Sequence, residues 1–168
     1  MYIVHIVMIR IDKTLLDSVS SEARSVPRRR KNYNFHKEYS DTLQRLLNAM
    51  ESMSYIQPHK HEEPDKREAF IALRGRILVV EFDAKGEITD HVILDPLNGV
   101  YGAEIPGQTF HTIVSLENGS VAYELKDGPY SPIDDKNFAS WAPPEGSPDA
   151  SSYLKDLLKQ LNVEILEK

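Results

Sequence analysis

Residues 67–94 read REAFIALRGRILVVEFDAKGEITDHVIL. Three apolar runs, 67–73, 76–82 and 88–94, are broken by Arg74-Gly75 and by Ala84-Lys85-Gly86. Short runs rich in Ile, Val and Phe, punctuated by glycine, predict strands rather than helices. Outward from this stretch the rhythm continues. Further runs occupy 54–57, 99–105, 109–116 and 120–125, separated by turn residues at 95–99, Pro106-Gly107 and Glu117-Asn118-Gly119. Many short strands at fairly even spacing predict an all-β dominated sandwich or barrel of antiparallel strands. Asn118-Gly119 predicts a hairpin.

The flanks read differently. Residues 2–11 are rich in Ile and Val and predict a strand apolar on both faces, which needs cover on both faces from this chain or a second copy. Asp12 is placed as a helix N-cap. Leu15, Leu16, Val19 and Ala23 follow at helical spacing, and Pro27 ends the segment. Residues 28–39 read as polar and irregular, and 42–50 as a short helical or extended piece. Beyond Lys126 the chain loosens, with Trp141 expected to pin an irregular segment to the barrel. Ser147-Pro148 is expected to open a helix whose Leu154, Leu157, Leu158, Leu161 and Ile165 form one apolar stripe. The expected organisation is one domain over 1–146, with an N-terminal strand and helix. Residues 147–168 then form an amphipathic helix packed on the same domain or on a dimer partner.

Composition narrows the function classes. A chain of 168 residues suits one domain. With 40% hydrophobic and 27% charged residues it can bury a core. No apolar run approaches the roughly 20 residues that span a bilayer. The opening stretch lacks the basic region and cleavage site of a signal peptide, so a cytoplasmic location is expected. There are no cysteines, which excludes disulfides, thiolate metal sites and cysteine nucleophiles together. A formal net charge of -6 argues against nucleic acid and anionic membrane as partners, and leaves a small-molecule ligand. Arg24, Arg28, Arg29, Arg30 and Lys31 run against that balance. They form either a solvated basic turn or a wall for phosphate or carboxylate, whose geometry guanidinium forks match.

The chemistry concentrates in a few histidines. His59 and His61 stand two apart in QPHKHE (57–62), so on a strand they share a face. Glu68 opens the next apolar run and His111 follows the Pro106-Gly107 turn. Three imidazoles and a carboxylate inside a barrel can converge on one divalent metal, and these donors suit Mn, Fe, Co, Ni or Zn. Glu124 and Lys126 share one strand face. They are either a catalytic acid–base pair or a buried ion pair beside the metal. Tyr55, just before His59, is a candidate phenolic donor. Arg28, Arg30, Asn34 and His36 are the candidate substrate-binding residues; Asn34 and His36 either belong to a lid or cap the structure locally.

His-x-His, then Glu, then Gly after six intervening residues, then a Pro/Gly turn leading into His, resembles the two-part pattern of the cupin superfamily. Several phrases narrow the likeness: PRRRKNYNFH (27–36), DTLQRLLNA (41–49), PHKH (58–61), EIP (104–106) and YELKDGPY (123–130). In content and order they resemble the WbuC family of cupin-fold metalloproteins over roughly residues 15–146. The resemblance implies a cupin-type double-stranded β-helix, or jelly-roll, barrel. It implies one divalent transition metal (Zn, Fe, Mn or Ni) held by His59, His61, Glu68 and His111. It also implies a link to bacterial surface polysaccharide, and hence a sugar-like or carboxylate- or phosphate-bearing metabolite on which the metal acts as Lewis acid, as in an isomerase or epimerase. An Fe(II)-dependent dioxygenase and a non-catalytic binding module are the alternatives. A homodimer is expected, because cupins commonly pair through strands. Two features depart from the pattern. Gln108 stands where a glycine is usual, which predicts a turn rearranged by one position, and residues 147–168 extend past the family core.

Overall fold

The computed structural model describes residues 8–62, 64–131 and 136–166. Helix α1 (Lys13–Ser25) begins where the sequence places it, with the Asp12 side chain accepting from Leu15 N at 3.1 Å. Among the described residues ten strands follow: β1 (Arg30–Asn34), β2 (Leu43–Met50), β3 (His59–Lys60), β4 (Glu68–Arg74), β5 (Ile77–Phe82), β6 (Ile88–Leu94), β7 (Gly102–Ile105), β8 (Phe110–Ser115), β9 (Ser120–Asp127) and β10 (Asn137–Phe138). Helix α2 (Ala150–Gln160) comes last. Strands β1-β2-β9-β4-β7 form one antiparallel sheet and β10-β3-β8-β5-β6 the other. The two face each other as a jelly-roll barrel of the cupin type.

Side-chain alternation along each strand sorts residues into layers. Met50, Phe70, Ile77, Val79, Ile113 and Ala122 pack between the sheets as an apolar core. On the outer face of the first sheet, Leu47, Ala49 and Val121 pack against Val19 and Ala23 of α1. On the outer face of the second, Leu78, Val80, Phe82, Val114 and Leu116 pack against Leu154, Leu157 and Leu158 of α2. The order is helix, sheet, sheet, helix, so each helix buries its stripe on its own barrel.

Several local expectations change. Residues 28–39 are not irregular throughout: β1 pairs with β2 from Arg30↔Met50 to Asn34↔Leu46. Polar side chains hide this strand from a hydrophobic pattern because it lies at the sheet edge and its residues are mostly exposed. Residues 54–57 lie outside any strand, although Ser54, Ile56 and Gln57 are buried. Of the expected strand over 2–11, positions 8–11 lie outside any strand, with Met8, Ile9 and Ile11 exposed, and 2–7 lie outside the described residues. Asn118-Gly119 does not close a hairpin, because β8 and β9 belong to opposite sheets. The turn arches from one sheet to the other, with Gly119 at φ 74°. Gly75 makes the matching arch from β4 to β5 at φ 74°, where a Cβ would sit 2.3 Å from Ser120 Oγ.

The turn before His111 is not shifted. Gln108 itself takes φ 60° and donates its N–H to His61 O at 3.3 Å, so the left-handed residue stays at the usual glycine position. Helix α2 starts at Ala150, not at Ser147-Pro148, and its N-cap Asp149 makes no side-chain cap. Ile165 falls beyond the helix but packs on the same apolar layer. Trp141 lies 5.1 Å from Phe82 and 5.9 Å from Phe110, ring centre to ring centre, and so fastens its segment to the barrel. No helix among the described residues is long and apolar enough to cross a membrane.

Because Leu154 is the most deeply buried side chain that α2 contributes to the outer layer, Leu154→Ala should cost about 2–5 kcal/mol. Urea denaturation measures this. A loss below about 1 kcal/mol would mean that α2 contributes little to the fold.

Candidate metal centre and its cavity

The two sheets bring four donors together at one end of the interior. Strand β3 lies beside β8 with His59 directly opposite His111. In the facing sheet, Glu68 opens β4 opposite Lys126 of β9. His61 follows β3 and is held by the Gln108 contact. One donor atom from each of His59, His61, Glu68 and His111 lies within 4.8 Å of all the others, and all four residues are buried.

The hydrogen bonds set the rings for metal binding. His59 Nδ1 lies 3.0 Å from Gln57 O, and His111 Nδ1 lies 2.9 Å from Thr109 O. A carbonyl only accepts, so each Nδ1 carries a hydrogen and each Nε2 is the ring nitrogen turned to the centre. Burial, with Lys136 and His111 nearby, pushes the His59 pKa well below its ordinary value, which favours the neutral ring. Yet His111 Nε2 lies 2.8 Å from Glu68 Oε2, and His61 Nε2 lies 3.0 Å from Glu68 Oε1. Burial alone would raise the Glu68 pKa, but its contacts with His111 and His61 outweigh this and hold it well below the carboxylate range. A carboxylate oxygen facing a ring lone pair is unfavourable unless a positive charge joins them. A proton on the ring does this; so does a divalent ion that takes all the Nε2 atoms and a Glu68 oxygen with the rings neutral. The donor set therefore fits a first-row divalent ion such as Zn, Fe, Mn or Ni.

Beside the donors, a small cavity of about 30 Å³ is lined by His59, Glu68 and His111 together with Asn48, Glu124 and Lys136. Asn48, Ile56, Glu124 and Lys136 also line a larger cavity of about 460 Å³. Its wall holds five cations, Arg28, Arg30, Lys31, Lys126 and Lys136, and one carboxylate, Glu124. Asn34 and His36 line it too. Arg30 and Arg28 converge on Glu145, Arg28 at 3.6 Å, and Arg30 Nη1 also donates to Tyr55 O at 2.8 Å. Lys31 lies 3.3 Å from Glu22. Of the basic run, Arg24 instead pairs with Glu51, and Arg29 approaches Asn118.

Glu124 is buried and accepts from Asn48 Nδ2 at 3.1 Å. Burial raises its pKa, as does Glu68, against the lowering pull of Lys126 and Lys136. Asn48 Oδ1 has no hydrogen-bond partner among the described residues. Lys126 faces the same interior, but its ammonium lies 3.7 Å from Glu68 Oε1 and 5.5 Å from the centre of the Tyr130 ring. Lys126 thus pairs with Glu68.

One expectation is corrected. Tyr55 does not reach the donors. Its hydroxyl donates to Pro143 O at 2.8 Å, its ring packs edge-on against Tyr153, and it lines neither cavity. Of the two readings for Asn34 and His36, the contacts match structural capping: Asn34 ends β1 in register with β2, and His36 Nδ1 meets the Arg45 backbone at 3.1 Å. Sequence reasoning passed over Lys136, Asn48 and Gln44. Asn48 and Gln44 were legible in principle, since on β2 they share the interior face with Leu46.

A two-sheet jelly roll with a buried cluster of three histidines and a glutamate suits a metal-binding cupin. A family model described as Domain of unknown function (DUF6016) matches residues 11–94, half of the chain, and the chain belongs to that family. No curated protein matches it. Among solved structures, the capsular polysaccharide assembling protein CapF from Staphylococcus aureus is similar at 19% identity and a TM-score of 0.53, over 74% of this chain and 35% of that one. KdgF from a Halomonas species is similar at 21% identity and a TM-score of 0.45, over 62% of this chain and 80% of that one. The chain spans about a third of the length of CapF, and the likeness is one of fold.

His59→Ala and His111→Ala should each lower metal content at least tenfold while the far-ultraviolet circular dichroism stays unchanged. Glu124→Gln should keep it, since Glu124 is outside the donor set. Elemental analysis of protein purified without chelator checks all three, and full metal occupancy in both histidine variants would remove those residues from the site.

Proposed function

We propose that the protein is a metal-binding cupin of WbuC type that acts on a small anionic, sugar-like metabolite, with a divalent metal as Lewis acid. The observation that carries this reading is the cationic 460 Å³ cavity that shares Asn48, Glu124 and Lys136 with the space beside the donor cluster. A volume of this size fits one small metabolite. Five cations against one carboxylate favour an anion, while Asn34, Gln44 and Asn48 supply amide groups suited to hydroxyls.

The metal would be held by His59, His61, Glu68 and His111, and when bound it polarises a carbonyl or hydroxyl oxygen. The chain's own residues supply the rest. Glu124, with its pKa raised by burial, keeps its proton to higher pH than an ordinary carboxylate and can pass it to, or take it from, a ligand in the cavity. Asn48 holds one Glu124 oxygen and so fixes the direction of the carboxyl group. Lys126, beside Glu68, steadies the carboxylate that faces the rings. Arg28 and Arg30 line the outer wall, where a carboxylate or phosphate can compete for their forks. The WbuC-like phrases make sugars the first ligands to try. CapF, similar in fold, is a capsular polysaccharide assembling protein, which points the same way.

The test is turnover followed by NMR, with metal-loaded and chelated protein offered uronates, sugar phosphates and nucleotide sugars. Isomer or epimer formation by the loaded protein alone, reduced at least tenfold in Glu124→Gln at full metal content, is the expected result. Oxygen consumption by iron-loaded protein would replace the Lewis-acid reading with the dioxygenase. Binding without turnover would leave a binding module, and failure to take up any metal would end both metal-dependent readings.

A further inference from the structure

Nothing in its sequence neighbourhood, DDKNF (134–138), singles out Lys136. Its place in the fold does. Lys136 immediately precedes β10, which pairs with β3 through Asn137↔Lys60 and Phe138↔His59. That pairing fixes the chain next to a metal-donor histidine. From there the Lys136 side chain lines both the small cavity beside the donors and the large one outside it.

The other wall cations have carboxylate partners: Arg28 and Arg30 share Glu145, Lys31 has Glu22 and Lys126 has Glu68. Lys136 makes no hydrogen bond or ion pair among the described residues. The residue as a whole is exposed, but burial of its ammonium end lowers its pKa against the raising pull of Glu68 and Glu124. An ammonium withdrawn from bulk water without a hydrogen-bonding partner is costly, and a ligand anion removes that cost. The small cavity is narrow, about 30 Å³, and a carboxylate is the smaller of the common anionic groups.

We infer that Lys136 is a specificity-determining residue that binds a ligand carboxylate beside the His59, His61, Glu68 and His111 cluster, so that the ligand is a hydroxy- or oxo-carboxylate rather than a neutral sugar. This rests on the reading of the cavity as a ligand site and names its substrate class. Lys136 acts by charge and reach; Glu124 remains the proton-handling group.

The experiment is calorimetric binding of glycolate, citrate and D-glucuronate, with D-glucose and D-glucose 6-phosphate as the neutral and phosphate controls. Wild type, Lys136→Gln and Lys136→Arg are compared, with metal content measured on the same samples. At least one carboxylate should bind wild type tenfold or more tightly than D-glucose. Lys136→Gln should lose that preference at full metal content, and Lys136→Arg should keep part of it. Unchanged carboxylate affinity in Lys136→Gln, no carboxylate preferred over D-glucose by wild type, or tighter binding of the phosphate would each overturn the inference. Absence of metal from every sample would overturn the metal reading alone, since wild type against Lys136→Gln still decides the role of Lys136.

Discussion

Glu68 places a carboxylate between two sheets where only 4% of the residue is exposed. Isolated, such a charge costs many kcal/mol to bury. It is tolerable here because His111, His61 and Lys126 all face its oxygens. Much of the interior follows from this one group. The strand β4 that carries Glu68 must lie next to β9, so that Lys126 falls opposite it. The facing sheet must set β3 against β8, so that two imidazoles meet the carboxylate from the other side. Away from this polar end the interior is apolar: Phe70 and Ala72, further along the same face of β4, belong to the core between the sheets. The barrel thus has a polar end and an oily end. The polar end has low dielectric walls, which strengthen every electrostatic contact made inside it.

The wall around the cavity extends this logic. Cations gather near a group of negative charge, yet most are already paired, to Glu145, Glu22 or Glu68. Paired cations set the potential of the cavity and hold its shape. The Asn48 amide oxygen has no hydrogen-bond partner among the described residues, and with Lys136 it lines the small cavity beside the donors.

How much of this was legible varied with the physical signal. The strands from β4 to β9 were readable because their apolar residues recur between glycine breaks, and α1 because Asp12, the leucines and Pro27 agree at every level. The four donors were readable because His-x-His, Glu and His, in that order with their glycine and Pro/Gly turns, resemble the cupin pattern; strand geometry alone spoke only for His59 and His61. The edge strand β1 was not, because an exposed edge carries no hydrophobic period. Nor was the partner choice of Asn118-Gly119: a turn residue specifies a local φ, while which sheet the chain enters next depends on packing across the barrel. Tyr55 was misread because proximity in sequence to His59 says nothing about direction, and its hydroxyl is satisfied by Pro143 O instead. Lys136 was invisible for the opposite reason. Its position depends on β10, a two-residue strand whose register comes entirely from β3.

The pairing of Arg30 and Glu145 joins residues 115 positions apart, and this bears on the order in which the molecule can be completed. During synthesis from the N-terminus, all four donors have emerged once His111 is made, whereas Lys136 and Glu145 come later. A nascent chain can therefore gather the four donors before the later part of the cavity wall, Glu124, Lys126 and Lys136, exists. Contacts of such long sequence separation also form late in folding, since their loop closure must be met before they return any stability. The proposed metal donors are thus complete in the chain before Lys136 and Glu145 are.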